Sequence, residues 1–280
     1  MRAMVVLFSA CLGGYVLFAQ TGFCGGPYDR PYGEAHQSRS TVISTHGMVA
    51  TSHPLAASVG LDVLKQGGNA VDAAIATNAM LGLVEPMSCG IGGDLFVIYW
   101  DAKSQKLYGL NASGRSPYAL NRNVFKKRGL DQIPLEGPLS WSMPGCVDGW
   151  FELHGRFGKQ PMQELLQPSI EYGTEGFPVT EIIAGYWSKA DKAFADQPDS
   201  QNTFLIDGKP PVEGQIFRNP NLARTYELIA KEGKKAFYEG SIARQIVDYS
   251  SKHGGFFFHE RFHGPSFNMG RSRFNKLPGI

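Results

Sequence analysis

Five consecutive residues near the end of the chain, His259-Glu260-Arg261-Phe262-His263, carry the most overt chemistry. Two histidines four apart with a glutamate between them match the helical HExxH motif, in which the histidines ligate zinc and the glutamate is the base. That chemistry needs a helix, and Gly254-Gly255 before it and Gly264-Pro265 after it leave space for barely one turn. The match therefore reads as coincidence. A second candidate is Gly90-Ile91-Gly92-Gly93. It follows a helical pattern and precedes a strand pattern, the reverse of the dinucleotide-binding order, so it reads as turn and packing geometry rather than a phosphate cradle. The cysteines, Cys11, Cys24, Cys89 and Cys146, form no CxxC pair and fit no zinc or disulfide framework, so they read as isolated thiols.

The elements that would position such groups begin near Gly47. Ser52 and Pro54 cap and open a helix to about Lys65, stopped by Gly67-Gly68. Asn69 caps a second helix, Ala70 to about Leu83, with Asp72 in its first turn, where the helix dipole favours an anion. That helix is apolar on most faces and must be buried. Its alanines and the glycines around it suit close packing of a helix against a sheet. The run Asp94–Trp100 reads as a strand buried on both faces, and Leu107–Ser113 returns as its hairpin partner. Beyond Met143 the pattern is mostly helical. One helix starts near Val147 and another, within Met162–Gly176, is broken at Pro168. Two amphipathic helices follow, opened at Asn219/Pro220 and Ser241 and stopped at Gly233 and Gly254. No internal repeat is visible.

Charge excludes some functions. The 27 basic and 25 acidic residues nearly cancel and form no Lys/Arg block, so nucleic acid is not an expected partner. Residues 4–19 are apolar behind a single Arg2 and are short for a membrane span. They read as a signal peptide or weak anchor, so association with a membrane is expected through them alone. The expected location is secreted or membrane-anchored if that leader is genuine, and cytoplasmic otherwise. Residues 1–20 are thus the leader, 21–46 a polar Gly/Pro-rich arm, 47–256 the folded region and 257–280 a tail without apolar periodicity.

From Gly47 to Phe256 the folded region resembles the large-subunit part of the γ-glutamyltransferase (glutathione hydrolase) family, in its glutathione hydrolase-like branch. The resemblance rests on Gly67–Trp100 (GGNAVDAAIATNAMLGLVEPMSCGIGGDLFVIYW), Met143–Trp150 (MPGCVDGW), Pro168–Val179 (PSIEYGTEGFPV), Gly109–Pro117 (GLNASGRSP) and the run beginning at Asn219, all in the family's order. It implies an α+β fold, part of the four-layer αββα sandwich of N-terminal nucleophile hydrolases. It also implies a proenzyme that cuts itself before a threonine into large and small subunits. The freed threonine attacks a γ-glutamyl amide with its own amine as base, because a hydroxyl is a weak nucleophile until a base sits beside it. The acyl group then passes to water or an amino acceptor, as in glutathione catabolism. No cofactor is implied. The implied partners are a glutathione-like γ-glutamyl small molecule and a small subunit.

Two residues carry over as substrate-binding candidates. Alignment on Pro117 puts Ser113 where the family's carboxylate-binding arginine stands, with Arg115 two residues on. On a strand, residues two apart share a face, so Arg115 is expected to reach the pocket and hold the α-carboxylate through its two-pronged guanidinium. The shift leaves another amide or acyl substrate open. No threonine here has the processing context, and the match breaks after Phe256, so the catalytic nucleophile is expected outside this chain. The alternatives are a non-catalytic large-subunit isoform that binds ligand or a full-length partner, and a zinc peptidase built on His259–His263.

Overall fold

The computed structural model describes residues 42–258 and the backbone of 273–276. The chain divides after Ile43, and the described elements belong to the unit Ser44–Ile280. That unit is α+β.

Helices α1 (Pro54–Lys65) and α2 (Ala70–Val84) form a helical hairpin. Gly67, at φ +89°, makes the reversal, and a Cβ on Gly68 would lie 2.7 Å from Val63 Cγ1. Asn69 caps α2 as its sequence requires. Its Oδ1 accepts from the backbone N–H groups of Val71 and Asp72 at 2.9 and 3.1 Å, and Asp72 Oδ2 accepts from Asn69 N at 2.9 Å. Asp72 does more than cap. It is fully buried, and it also accepts from Lys159 N and Gln160 N, tying the start of α2 to a loop 87 residues downstream. The cap of α1 is His53 rather than Ser52. His53 Nδ1 accepts from Leu55 N at 3.2 Å, while the Ser52 hydroxyl donates to Glu85 Oε2 at 2.5 Å.

Strands β1 (Leu95–Asp101) and β2 (Lys106–Ala112) pair antiparallel from Leu95↔Ala112 to Asp101↔Lys106. A third strand, β5 (Arg273–Lys276), adds antiparallel to the other edge of β2, so part of the tail is regular although its sequence lacks periodicity. β1 is not buried on both faces. Leu95, Val97 and Tyr99 face inward, whereas Phe96, Ile98 and Trp100 are 66, 77 and 46% exposed. Among the described residues the sheet is covered on one side only, and Phe96, Ile98 and Trp100 stand open on the other.

The covering helix is α4 (Cys146–Phe157), which follows the short α3 (Arg122–Lys127) and packs on both β1 and β2. The Ala-rich α2 does not lie on the sheet. It packs among helices, against α1, α4 and α5 (Met162–Glu175). Small residues let α2 approach those neighbours. The helix that approaches the strands closely is the one bearing Gly149, where a Cβ would sit 2.7 Å from Leu95 Cδ2 and 2.8 Å from Ala112 Cβ.

α5 runs unbroken through Pro168. Pro168 is half-buried, while Leu165, Leu166, Ser169 and Ile170 are buried on the side packed against α2 and α9 (Pro220–Glu232). Burying Leu165, Leu166 and Ile170 is worth roughly 1.5–3 kcal/mol each, which outweighs the ~3 kcal/mol cost of an interior proline. The two-residue strands β3 (Phe177–Pro178) and β4 (Ile216–Phe217) pair across α6 (Glu181–Trp187), α7 (Ala190–Ala193) and α8 (Pro198–Phe204). Asn219 caps α9 through a bond from Leu222 N at 3.0 Å, and α10 (Lys234–Tyr238) and α11 (Ser241–Lys252) complete the unit. Ser241 makes no side-chain cap; Gly240 precedes the first turn.

Candidate active-site wall

Three backbone segments meet where the chain leaving β2 passes the start of α4. Gly93 O accepts from both Gly145 N and Cys146 N, each at 2.9 Å. Asp94 Oδ1 accepts from Gly114 N at 2.7 Å, and Arg115 O accepts from Met143 N at 2.9 Å. The segments are too close for side chains between them. A Cβ on Gly114 would lie 1.4 Å from Met143 O, and one on Gly145 would lie 1.9 Å from Ala112 O. Glycine is required here by space. Gly90 and Gly92 are different, because a Cβ on either would meet nothing within 4 Å. The Gly90–Gly93 turn, closed by Gly93 N donating to Gly90 O at 3.2 Å, therefore presents bare backbone to open space rather than crowded packing.

That bare turn borders a cleft of about 540 Å³, lined by Ile91 and Gly92, by Ser140, Trp141 and Ser142, and by Phe257 across from them. The turn and the start of α4 are held by polar groups that the sequence patterns did not single out. Asn78 on α2 accepts from Trp150 Nε1 at 2.8 Å and from Cys146 Sγ at 3.5 Å through the same Oδ1, while its Nδ2 donates to Cys89 Sγ at 3.3 Å. One carboxamide thus joins α2, α4 and the start of the glycine turn. Tyr238 OH donates to Pro144 O and accepts from Asp148 N, holding the first turn of α4.

The thiols and phenols of this wall stay protonated. Burial pushes the Cys146 thiol up to about 12 and raises the Cys89 thiol. Burial raises the Tyr226 and Tyr238 phenols too. A thiol that stays protonated is a poor nucleophile, so these cysteines act as packing and hydrogen-bonding groups.

Ser113 and Arg115 lie on the segment leaving β2, which ends at Ala112. They are in irregular backbone, so the face-sharing rule of a strand does not govern them. Ser113 is half-buried and its hydroxyl donates to Asn111 Oδ1 at 2.7 Å. Arg115 is exposed, and its guanidinium has no ion-pair partner among the described residues. Neither lines the cleft, although the Arg115 carbonyl holds Met143, next to cleft residue Ser142. His259–His263 lie outside the described residues, as do Cys11, Cys24 and the apolar stretch 4–19. Among the described residues, no group of three or more His, Cys, Asp or Glu is placed to hold a metal ion, and no helix is long and apolar enough to cross a membrane.

Comparison with known proteins gives a consistent picture. A sequence model of the gamma-glutamyltranspeptidase family matches residues 56–263. The glutathione hydrolase-like YwrD proenzyme of Bacillus subtilis is 37% identical over 219 residues, covering 77% of this chain and 41% of that protein. Among solved structures, the cephalosporin acylase from Bacillus halodurans superposes with a TM-score of 0.79 at 37% identity, over 90% of this chain and 47% of that one. The Helicobacter pylori gamma-glutamyltranspeptidase gives 0.77 at 27% identity, over 86% and 68%. The fold is that of the N-terminal nucleophile hydrolases. The chain spans less than half the length of the curated relatives it matches.

Proposed function

Because this chain belongs to the gamma-glutamyltranspeptidase family, we propose that residues 47–256 form the large-subunit part of a hydrolase that cleaves γ-glutamyl amide bonds. The observation that carries this reading is the open apolar face of β1. Phe96, Ile98 and Trp100 project from the side of the sheet that α4 does not cover. A sheet hydrophobic on both sides is stable only when a second layer covers it. The second layer is a sheet of the small subunit, which also brings the threonine nucleophile. This chain contributes the substrate-binding wall. The Arg115 guanidinium, free of ion pairs among the described residues, takes the α-carboxylate of the γ-glutamyl group in bidentate fashion. Ser113 stands beside it, its hydroxyl already engaged with Asn111. The bare backbone of Gly90 and Gly92 leaves room for close approach by substrate or partner.

A second reading, cleavage of a different acyl amide, is favoured by Ser113 standing at the family's arginine position. The two separate with one pair of substrates. This chain, joined to the small-subunit part of the B. subtilis relative, is assayed with γ-glutamyl-4-nitroanilide and with glutaryl-4-nitroanilide, which lacks the α-amine. The γ-glutamyl reading expects the first to be preferred, and expects Arg115→Ala to raise its KM by roughly tenfold or more with little change in kcat. A self-cleaved, soluble hybrid that hydrolyses neither substrate would refute both readings.

A further inference from the structure

A second cavity, bordered by Pro86 and Met87, shares no lining residue with the first. It has a volume of about 220 Å³ and is bounded by Met87 and by side chains of the segment from α6 to α8: Trp187, Lys189, Ala193, Phe194 and Phe204. Its walls are apolar and aromatic. Trp187 is 3% exposed and braced by Phe217 at 4.7 Å between ring centroids, and the Phe194 and Phe204 rings stand 5.7 Å apart. The pocket is thus lined by rings that are themselves held in place. Met87, 42% exposed at the rim, supplies a polarisable thioether of the kind that contacts aromatic edges. Lys189 is the only charged side chain lining the cavity among the described residues, and it makes no ion pair there.

Size and charge together define the occupant. An apolar protein cavity of about 150 Å³ holds benzene. The present one is larger by room for a short substituent, and the single cation at its mouth asks for an anionic one. We propose that this cavity is a binding site for a small aromatic carboxylate, one ring seated against Trp187, Phe194 and Phe204 with its carboxylate at Lys189. The site stands apart from Arg115 and the glycine turn, and it does not depend on the γ-glutamyl reading. Met87 does link the two, lying three residues before Gly90 on the loop that enters the turn.

The test titrates the full chain with 4-fluorophenylacetate and follows fluorine NMR line broadening. 4-Fluorobenzylamine, the same ring with the opposite charge, serves as the comparison. Saturable millimolar binding of the carboxylate is expected, with clearly weaker binding of the amine. Ala193→Trp adds bulk at an exposed rim position and should reduce carboxylate affinity at least tenfold. Lys189→Gln, also exposed, should weaken it about two- to fivefold and narrow its advantage over the amine, as expected for a solvent-accessible ion pair. Non-saturable binding, equal binding of the amine to the wild type, or an Ala193→Trp protein of unchanged affinity and native circular dichroism would each overturn the proposal.

Discussion

Gly145→Ala adds one methyl group at the point where three backbone segments cross. That methyl would lie 1.9 Å from Ala112 O, 2.9 Å from Ala112 C and 3.1 Å from Gly114 N, all well inside the 3.4 Å at which ordinary contact begins. These neighbours are main chain, so no side chain can swing aside. Overpacking costs about 1–3 kcal/mol, and displacing α4 weakens the two bonds to Gly93 O by about 1 kcal/mol each. The total is about 3–5 kcal/mol, a fall in melting temperature of roughly 10 °C for a domain of this size. Gly155→Ala provides the control. It lies in the same helix, is exposed, and a Cβ there meets nothing within 4 Å. Alanine should stabilise that position by about 0.5–1 kcal/mol through helix propensity. Urea unfolding followed by circular dichroism measures both. Opposite signs are expected, and a Gly145→Ala protein as stable as the wild type would refute the spatial argument for this junction.

Two further outcomes follow from buried polar groups. His53 is 3% exposed and its Nε2 has no hydrogen-bond partner among the described residues, and burial holds its pKa below the usual 6.5, against a smaller opposing pull from Glu85. The unfolded chain therefore takes up this proton first, and the stability that neutral His53 contributes above about pH 6.5 is lost as pH falls below it. Urea midpoints measured from about pH 7 down to pH 5 should fall more steeply for the wild type than for His53→Gln; parallel curves would dismiss the assignment. Asn78→Ala removes the acceptor of the Trp150 indole N–H, a residue 1% exposed, and should cost roughly 1–3 kcal/mol in the same unfolding assay. A loss below about half a kcal/mol would mean that Asn78 does not organise the wall.

Local signals in the chain were legible where one residue decides the outcome. Asn69 with Asp72 at the third helical position specifies the start of α2, and the pairing of Asp94–Trp100 with Leu107–Ser113 follows from two β-branched and aromatic runs either side of a polar turn. Signals that depend on what lies across space were not. Phe96, Ile98 and Trp100 read as buried because they are apolar, but burial needs a covering layer, and among the described residues none is present on that side. Pro168 reads as a break because local propensity disfavours it, yet the packed face of α5 carries the helix through. Gly90 and Gly92 look like the crowded glycines, while the crowding falls on Gly114 and Gly145, whose neighbours are distant in sequence. The site was legible in the same partial way. The segment carrying Ser113 and Arg115 does adjoin the wall through Arg115 O and Met143 N, but β2 stops at Ala112, so a strand's alternation says nothing about where Arg115 points. Asn78 gave no sign in sequence, because an amide inside an Ala-rich helix acquires its role only when α4 and the glycine turn are packed against it.

The proposed function requires that β1 present a face made for a second polypeptide. Sedimentation velocity of this chain mixed with the separately produced small-subunit part of the B. subtilis relative measures that association. A one-to-one complex is expected, and Ile98→Lys should abolish it, since that residue is 77% exposed in the chain alone and its substitution leaves the chain's own core untouched. Two folded partners that fail to associate, or a complex that forms equally well with Ile98→Lys, would contradict it.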